Sequence, residues 1–170
     1  MLPGLSIHKR YLSDHDCRYL LFYLKNSGIT YHHVKAANLE FYRAFSGPDD
    51  REKAKFVIDY LRHRNVDKLM PFDDVTIVHY RNQNDWADYH QDNTHYRVAN
   101  TPTGVVSLGE SRIISFRDFL SKEILFEESL NNGDVLVMDS AFQDHYEHGV
   151  LSSLEPKEER FAIALGTFKA

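Results

Sequence analysis

A chain of 170 residues, 42% hydrophobic and 26% charged, falls within the ~100–200 residues usual for one domain and has ample apolar material for a core. Its formal net charge of -5 advertises no overall electrostatic grip on a phosphate backbone, and its single cysteine, Cys17, excludes an internal disulfide framework. The opening MLPGLSIHKR has no apolar h-region and no stretch approaches membrane-spanning length, so the expectation is a soluble intracellular protein, cytoplasmic or nuclear, with no membrane partner.

Taken in order, the first element is a helix from Ser13 to Asn26, with Ser13 as N-cap, an apolar stripe of Leu20, Leu21 and Leu24, and Gly28 as its stop. Residues Ile29 to Phe45 are rich in aromatics and β-branched side chains interrupted by AAN, which reads as one or two short strands. SGPDD, Ser46 to Asp50, punctuates the chain, and Asp49 can cap a second helix running to about His63 with Phe56, Val57, Tyr60 and Leu61 on one face. The basic spot RHRN with Lys68 reads either as a solvated helix end or as a nucleic-acid contact. From Phe72 the pattern turns to β. DVTIVHY, TGVVSL, SRIISFRD, KEILFEESL, DVLVMDS and RFAIALGTF are short runs between turn signals such as Asn131-Asn132-Gly133. Strands following two helices predict an α+β chain with a double-sheet jelly-roll core. The expected organisation is a single domain over 1–170, with 1–71 as helical support and possible substrate lid and 72–170 as the β core.

Chemistry concentrates between Tyr80 and Asp92, YRNQNDWADYHQD. In an extended strand residues two apart share a face, so His90 and Asp92 can meet one metal ion. Ten histidines and fifteen aspartates in this length make about one His-x-Asp pair a chance event, so the pair needs company. The company is a histidine-rich turn, DHYEHG, with His145 and His148, and then Arg160 twelve residues past His148. Two imidazoles and a carboxylate on one side of a non-haem Fe(II) leave its other positions open for a co-substrate and O2. A nearby guanidinium can hold the far carboxylate of a keto-acid in a bidentate pair.

These blocks resemble the AlkB-like branch of the Fe(II)/2-oxoglutarate-dependent dioxygenases. YRNQNDWADYHQD is similar to that family's Y-x-D-G-x-D-x-x-x-x-H-x-D, and VVSLGESRIISFRD to its S-x-G-x-x-R-x-F; the intervals from Met138 to His148 and from His148 to Arg160 also match. The resemblance covers roughly Phe72 to Phe168 and implies a double-stranded β-helix. It also implies Fe(II) held by His90, Asp92 and His148, with His145 close by or solvent-exposed, and 2-oxoglutarate held by Arg160 and Tyr80. O2 is then the oxidant, with release of succinate and CO2. A region before the metal core supplies the lid in that family, making Tyr31, His32, His33, Phe41 and Tyr42 candidate substrate contacts, with an edge hairpin of packed aromatics as the plainer reading. Each ligating imidazole is expected to have its other nitrogen held by an acceptor. Trp86 is expected in the loop before His90, as a substrate wall or a packed ring, and Arg112 either shapes the substrate side or holds the loop.

Three positions depart from the family pattern. Val78 stands where an Asn commonly touches the co-substrate, Gly166 where a second Arg follows Arg160 by six residues, and Thr94 where nucleobase-repair members often carry an acidic residue. The implied reaction is oxidative demethylation of an N-alkylated nucleobase in DNA or RNA. The alternatives are a hydroxylase or demethylase of a protein side chain or small metabolite, and a non-catalytic binding module on the same fold. A Zn(II) hydrolase can also use two His and a carboxylate, yet it has no need of Tyr80 and Arg160 at these intervals.

Overall fold

The computed structural model describes residues 1–45, 50–92 and 97–169. In chain order the elements are β1 (Leu5–His8), α1 (Asp14–Asn26), β2 (His32–Ala36), β3 (Leu39–Ala44), α2 (Arg51–His63), β4 (Asp74–Tyr80), β5 (Trp86–His90), β6 (Thr103–Gly109), β7 (Arg112–Asp118), β8 (Ile124–Leu130), β9 (Val135–Met138), α3 (Phe142–His145), β10 (Tyr146–Val150) and β11 (Arg160–Gly166). Ser13 caps α1 as its sequence implies, its Oγ accepting the Asp16 N–H at 3.1 Å. The cap expected from Asp49 lies outside the described residues. Asp50 occupies the cap position of α2 in a left-handed conformation without a side-chain cap bond, its carboxylate accepting instead from Thr30 N and Lys53 Nζ, each at 3.0 Å.

The strands form one antiparallel succession, β1-β9-β6-β11-β4-β3-β5-β10-β7-β8, with β2 paired to β3. Side-chain alternation shows how this ribbon is folded. Phe161, Ile163 and Leu165 of β11 pack with Leu20 and Leu24 of α1 and Val57 and Leu61 of α2. The intervening Ala162 belongs to a second cluster with Tyr80 of β4, Ala87 of β5, Phe116 of β7, Leu130 of β8 and Val150 of β10. A sheet whose two ends share one apolar interior has curled over on itself, which is the double-stranded β-helix, with the two helices packed on the outer face of one half. Burial of each large side chain on that face is worth about 1.5–3 kcal/mol, so α1 and α2 stiffen the half that carries β4 and β11. The bend runs through β3, which pairs with β4 and also with β5 at Leu39↔Ala87 and Glu40↔Trp86.

Three local readings change. MLPGLSIHKR contributes a strand, β1, paired with β9. Trp86 opens β5 instead of lying in a loop. DHYEHG is not a turn: α3 ends at His145 and β10 starts at Tyr146, so the two histidines belong to different elements. The strand is hidden in the sequence because its outward residue is charged, Glu147 bonding Arg117 and Lys122, and its inward residue is a histidine. Apolar alternation therefore never appears.

Candidate metal centre

His90 and His148 are directly opposed in the β5–β10 ladder, and opposed residues bring side chains within a few ångströms. Their ring centroids are 4.5 Å apart. Gly149 lets the two strands approach: a Cβ there would stand 2.9 Å from Ala87 O and 3.0 Å from Asp88 C and Tyr89 N. Asp92 lies just past the end of β5 and turns Oδ1 toward both rings, 3.4 Å from His148 Nε2 and 3.7 Å from His90 Nε2. One ligand atom from each residue falls within 4.8 Å of the other two, a spacing that one ion can bridge at ~2 Å per bond. His148 is buried, whereas the His90 side chain is 45% exposed, so the cluster opens to one side.

The electrostatics suit cation binding. Partial desolvation lowers the pKa of His90, and the neighbouring His148 lowers it further, favouring the neutral imidazole with a free lone pair. Burial alone would raise the pKa of Asp92, but His148, His90 and a hydrogen bond from Thr103 hold it far below the usual carboxylate range. His90 Nδ1 is held by Asp88 O at 2.8 Å, which directs Nε2 at the cluster. His148 departs from that expectation, since its Nδ1 is buried with no partner. Gln143, which nothing in the sequence singled out, bonds both the main chain and the carboxylate of Asp92.

Arg160 opens β11 opposite Tyr80 of β4. It is 1% exposed and has no ion pair among the described residues, with neither neighbouring glutamate, Glu158 or Glu159, paired to it. Its Nε donates to Ser107 Oγ at 3.2 Å and its guanidinium carbon lies 5.3 Å from the Tyr80 ring centroid, but Nη1 is buried without a partner. Burial, and then the like charge of Arg112, lower the Arg160 pKa, although a guanidinium keeps its proton. Such a charge costs several kcal/mol unless an anion joins it. Together, an O/N donor set of two imidazoles and one carboxylate and an orphaned buried guanidinium fit Fe(II) and a dicarboxylic keto-acid.

The other sequence candidates separate. Arg112 holds the loop: it donates to Asn82 O, Asp85 O and Leu151 O at 3.2, 3.0 and 2.7 Å. His145 is exposed. The basic spot is tied up locally, Arg62 on Phe72 O and Arg64 on Asp16. Of the lid residues, Tyr31 is anchored to Leu24 O and packs on Phe161. Phe41 lies inside, 6.0 Å from the Tyr80 ring, and His33 stacks on Tyr42 at 4.8 Å with Arg81 above Tyr42. Val78 stands opposite Ala162. A Cβ at Gly166 would meet the Phe168 ring at 3.3 Å and Arg97 Cδ at 3.7 Å, so a ring and an arginine from another segment cover the place where the family pattern has its second arginine. Arg97 is itself buried, with Nη1 on Thr101 O and Nε unpartnered. Thr94 lies outside the described residues.

Residues 22–165 match the family model of the 2OG-Fe(II) oxygenase superfamily. The chain belongs to that superfamily. As a 2OG-Fe(II) oxygenase it is a dioxygenase that uses Fe(II), 2-oxoglutarate and O2. Its fold is similar to that of OsALKBH1 (TM-score 0.67, 16% identity, 98% of each chain covered). A Pseudomonas putida prolyl-4-hydroxylase is also similar (TM-score 0.62, 14% identity, 98% of this chain and 94% of that one). So is a Trichoplax adhaerens prolyl hydroxylase solved with a hypoxia inducible factor peptide fragment (TM-score 0.62, 16% identity, 97% and 83%). At these identities the likeness is one of fold. No curated protein matches the chain in sequence, and among the described residues no helix is long and apolar enough to cross a membrane.

Proposed function

We propose that this oxygenase is AlkB-like in its reaction: oxidative demethylation of an N-alkylated nucleobase in DNA or RNA, carried by His90, Asp92 and His148 as iron ligands with Arg160 and Tyr80 as the co-substrate anchor. The observation that carries the chemistry is the buried Arg160 with its free Nη1, lying on the interior face that also bears the three candidate ligands. Bound there, Fe(II), 2-oxoglutarate and O2 supply the oxidant for a C–H bond and release succinate and CO2. Arg160 pairs with the far carboxylate of the keto-acid, and the Tyr80 hydroxyl adds to that contact. Ala162 and Ala164, on the same face of β11 as Arg160, put only methyl groups beside it. A hydroxylated N-methyl group then falls apart to formaldehyde and the free amine. The whole chain acts as the domain, with the β2–β3 hairpin as lid.

The nucleobase is supported by the Tyr80–Asp92 block and by a fold shared over the full chain with OsALKBH1. The His33–Tyr42 stack with Arg81 above it supports the reading as a ring surface of the kind a single strand stacks on, although Arg81 is also paired with Asp85. A target base must be flipped or unpaired to reach the metal. A second reading, hydroxylation of a protein side chain, is supported by the fold shared with two prolyl hydroxylases.

The test is succinate formation from 2-oxoglutarate by Fe(II)-loaded protein, with and without methylated single-stranded oligonucleotides, using His90→Ala as blank. Oligonucleotide-stimulated turnover with formaldehyde release, absent in the variant, is the expected result. Turnover that oligonucleotides leave unchanged but proline-containing peptides stimulate moves the assignment to the second reading.

A further inference from the structure

Gln143 is 6% exposed and its carboxamide is turned to one neighbour. Oε1 accepts the Asp92 N–H at 2.8 Å, and Nε2 donates to Asp92 Oδ2 at 2.9 Å, with Thr103 Oγ1 at 3.2 Å beside it. The amide can be oriented in one way only, because a main-chain N–H must meet the oxygen and a carboxylate must meet the NH2. Gln143 also holds the adjoining residue, its carbonyl accepting from Gln91 Nε2. The consequence is a division of labour within one carboxylate: Oδ1 faces the two Nε2 atoms, while Oδ2 is turned away and engaged.

We infer that Gln143 is a positioning residue that restricts Asp92 to one-oxygen ligation, so that three protein atoms, not four, occupy the iron. This rests on the metal-centre reading above. An aspartate carboxylate ligates hard cations through one oxygen or both with little preference of its own, and rotation about its Cβ–Cγ bond decides which. A charge-assisted amide bond to Oδ2 resists that rotation. The open positions matter here because a keto-acid chelate takes two and O2 a third. A second Asp92 oxygen would leave the keto-acid bound and O2 without a place. The helix α3 that carries Gln143 runs directly into β10 with His148, so one short segment sets the geometry of two ligands.

The experiment compares the parent with Gln143→Met, which keeps the size and removes both contacts, and Gln143→Glu, which keeps an acceptor but repels Oδ2. Mn(II) is loaded anaerobically, and water-proton relaxation per bound ion counts the open positions. Both variants are expected to lose about a third of the parental relaxation, one position of three. They should keep their 2-oxoglutarate dissociation constant within a few-fold, and should slow O2-dependent 2-oxoglutarate consumption at least tenfold. Urea unfolding checks that each is folded, and if the Met variant is not, the Glu variant carries the test. Parental relaxation per bound ion in a folded variant overturns the inference, whether or not Mn(II) binds more weakly, because Gln143 then only braces the site. A parent that binds no Mn(II) overturns the metal-centre reading itself, a distinct outcome.

Discussion

Replacing Arg160 by Met should raise the stability of the ligand-free protein while removing its response to 2-oxoglutarate. The guanidinium is 1% exposed, bonded to Ser107 and lying over Tyr80, without an ion pair. Its desolvation costs several kcal/mol. Against that stand a cation–π contact worth about 2 kcal/mol when desolvated and one hydrogen bond of about 1–1.5 kcal/mol. Methionine fills the space without the charge, so the variant should gain about 1–2 kcal/mol, or roughly 2–8 °C in Tm for a chain of this size. The co-substrate reverses the order. Losing a two-point charge-assisted pair costs about 3 kcal/mol, a hundredfold or more in affinity. At a concentration one hundred times the parental Kd the parent gains about 2.7 kcal/mol from binding, and the variant only about 0.4 kcal/mol. Urea unfolding at constant Mn(II), titrated with 2-oxoglutarate, should therefore show the two stability curves crossing. A variant less stable than the parent at zero 2-oxoglutarate, with the parental response on titration, refutes the anion-site argument.

The remaining predictions concern the ligand strands, the anchor and the outer helices. Gly149→Ala places a Cβ within 3.0 Å of β5 backbone and should cost about 1–3 kcal/mol; by parting His148 from His90 it should also weaken Mn(II) binding at least tenfold, read by titration. Tyr80→Phe removes the hydroxyl of the ring that lies beneath Arg160 and should raise the KM for 2-oxoglutarate about tenfold while altering kcat little; the reverse split in steady-state kinetics would count against the anchor role. Asp16 tests linkage away from the site. Burial raises its pKa, but bonds from Arg64, Tyr60 and Ser13 outweigh burial and bring it to about 2 from 3.8. Its contribution is thus complete above about pH 4 and is lost as pH falls toward 2, about 1–2 kcal/mol once the exposure of Arg64 is discounted. Asp16→Asn should flatten the stability–pH slope in that window, and an unchanged slope in acid urea titrations would contradict the assignment.

Legibility in the sequence followed periodicity. Both helices announced themselves through Ser13 and through stripes such as Val57–Leu61, and β11 through RFAIALG, whose alternation separates the helix-facing Phe161, Ile163 and Leu165 from the interior-facing Arg160 and Ala162. β10 failed because Glu147 and His148 are polar on both faces, for reasons of an outward ion-pair network and an inward cluster. β1 failed because four residues at a chain start are too few for a period. At the site, the spacing of His90, Asp92, His148 and Arg160 could be read because these chemical types are conspicuous. Gln143 could not be, since an amide that works through hydrogen bonds to another residue carries no spacing signature. The arginine missing at position 166 was legible as an absence, while Arg97, which covers that place from another segment, is visible only once the chain is folded.

The unfavourable features of this interior share a location. Arg160 Nη1 and His148 Nδ1 are both buried without partners, and Asp92, only partly buried, faces imidazoles rather than lysine or arginine. The two unpartnered groups lower the stability of the empty protein; a carboxylate would relieve the guanidinium, while the Asp92 anion beside two imidazoles is a ready seat for a cation. The outer half, where α1 and α2 close over β11 and β4, carries the apolar packing that tolerates this. On the proposed site, metal and co-substrate should stabilise the fold more than additively, because one keto-acid would meet both the ion and Arg160, and neither contact would be complete alone. A double titration of unfolding free energy with Mn(II) and 2-oxoglutarate measures that coupling, and at a given 2-oxoglutarate concentration it should shrink sharply in Arg160→Met while metal binding by itself persists.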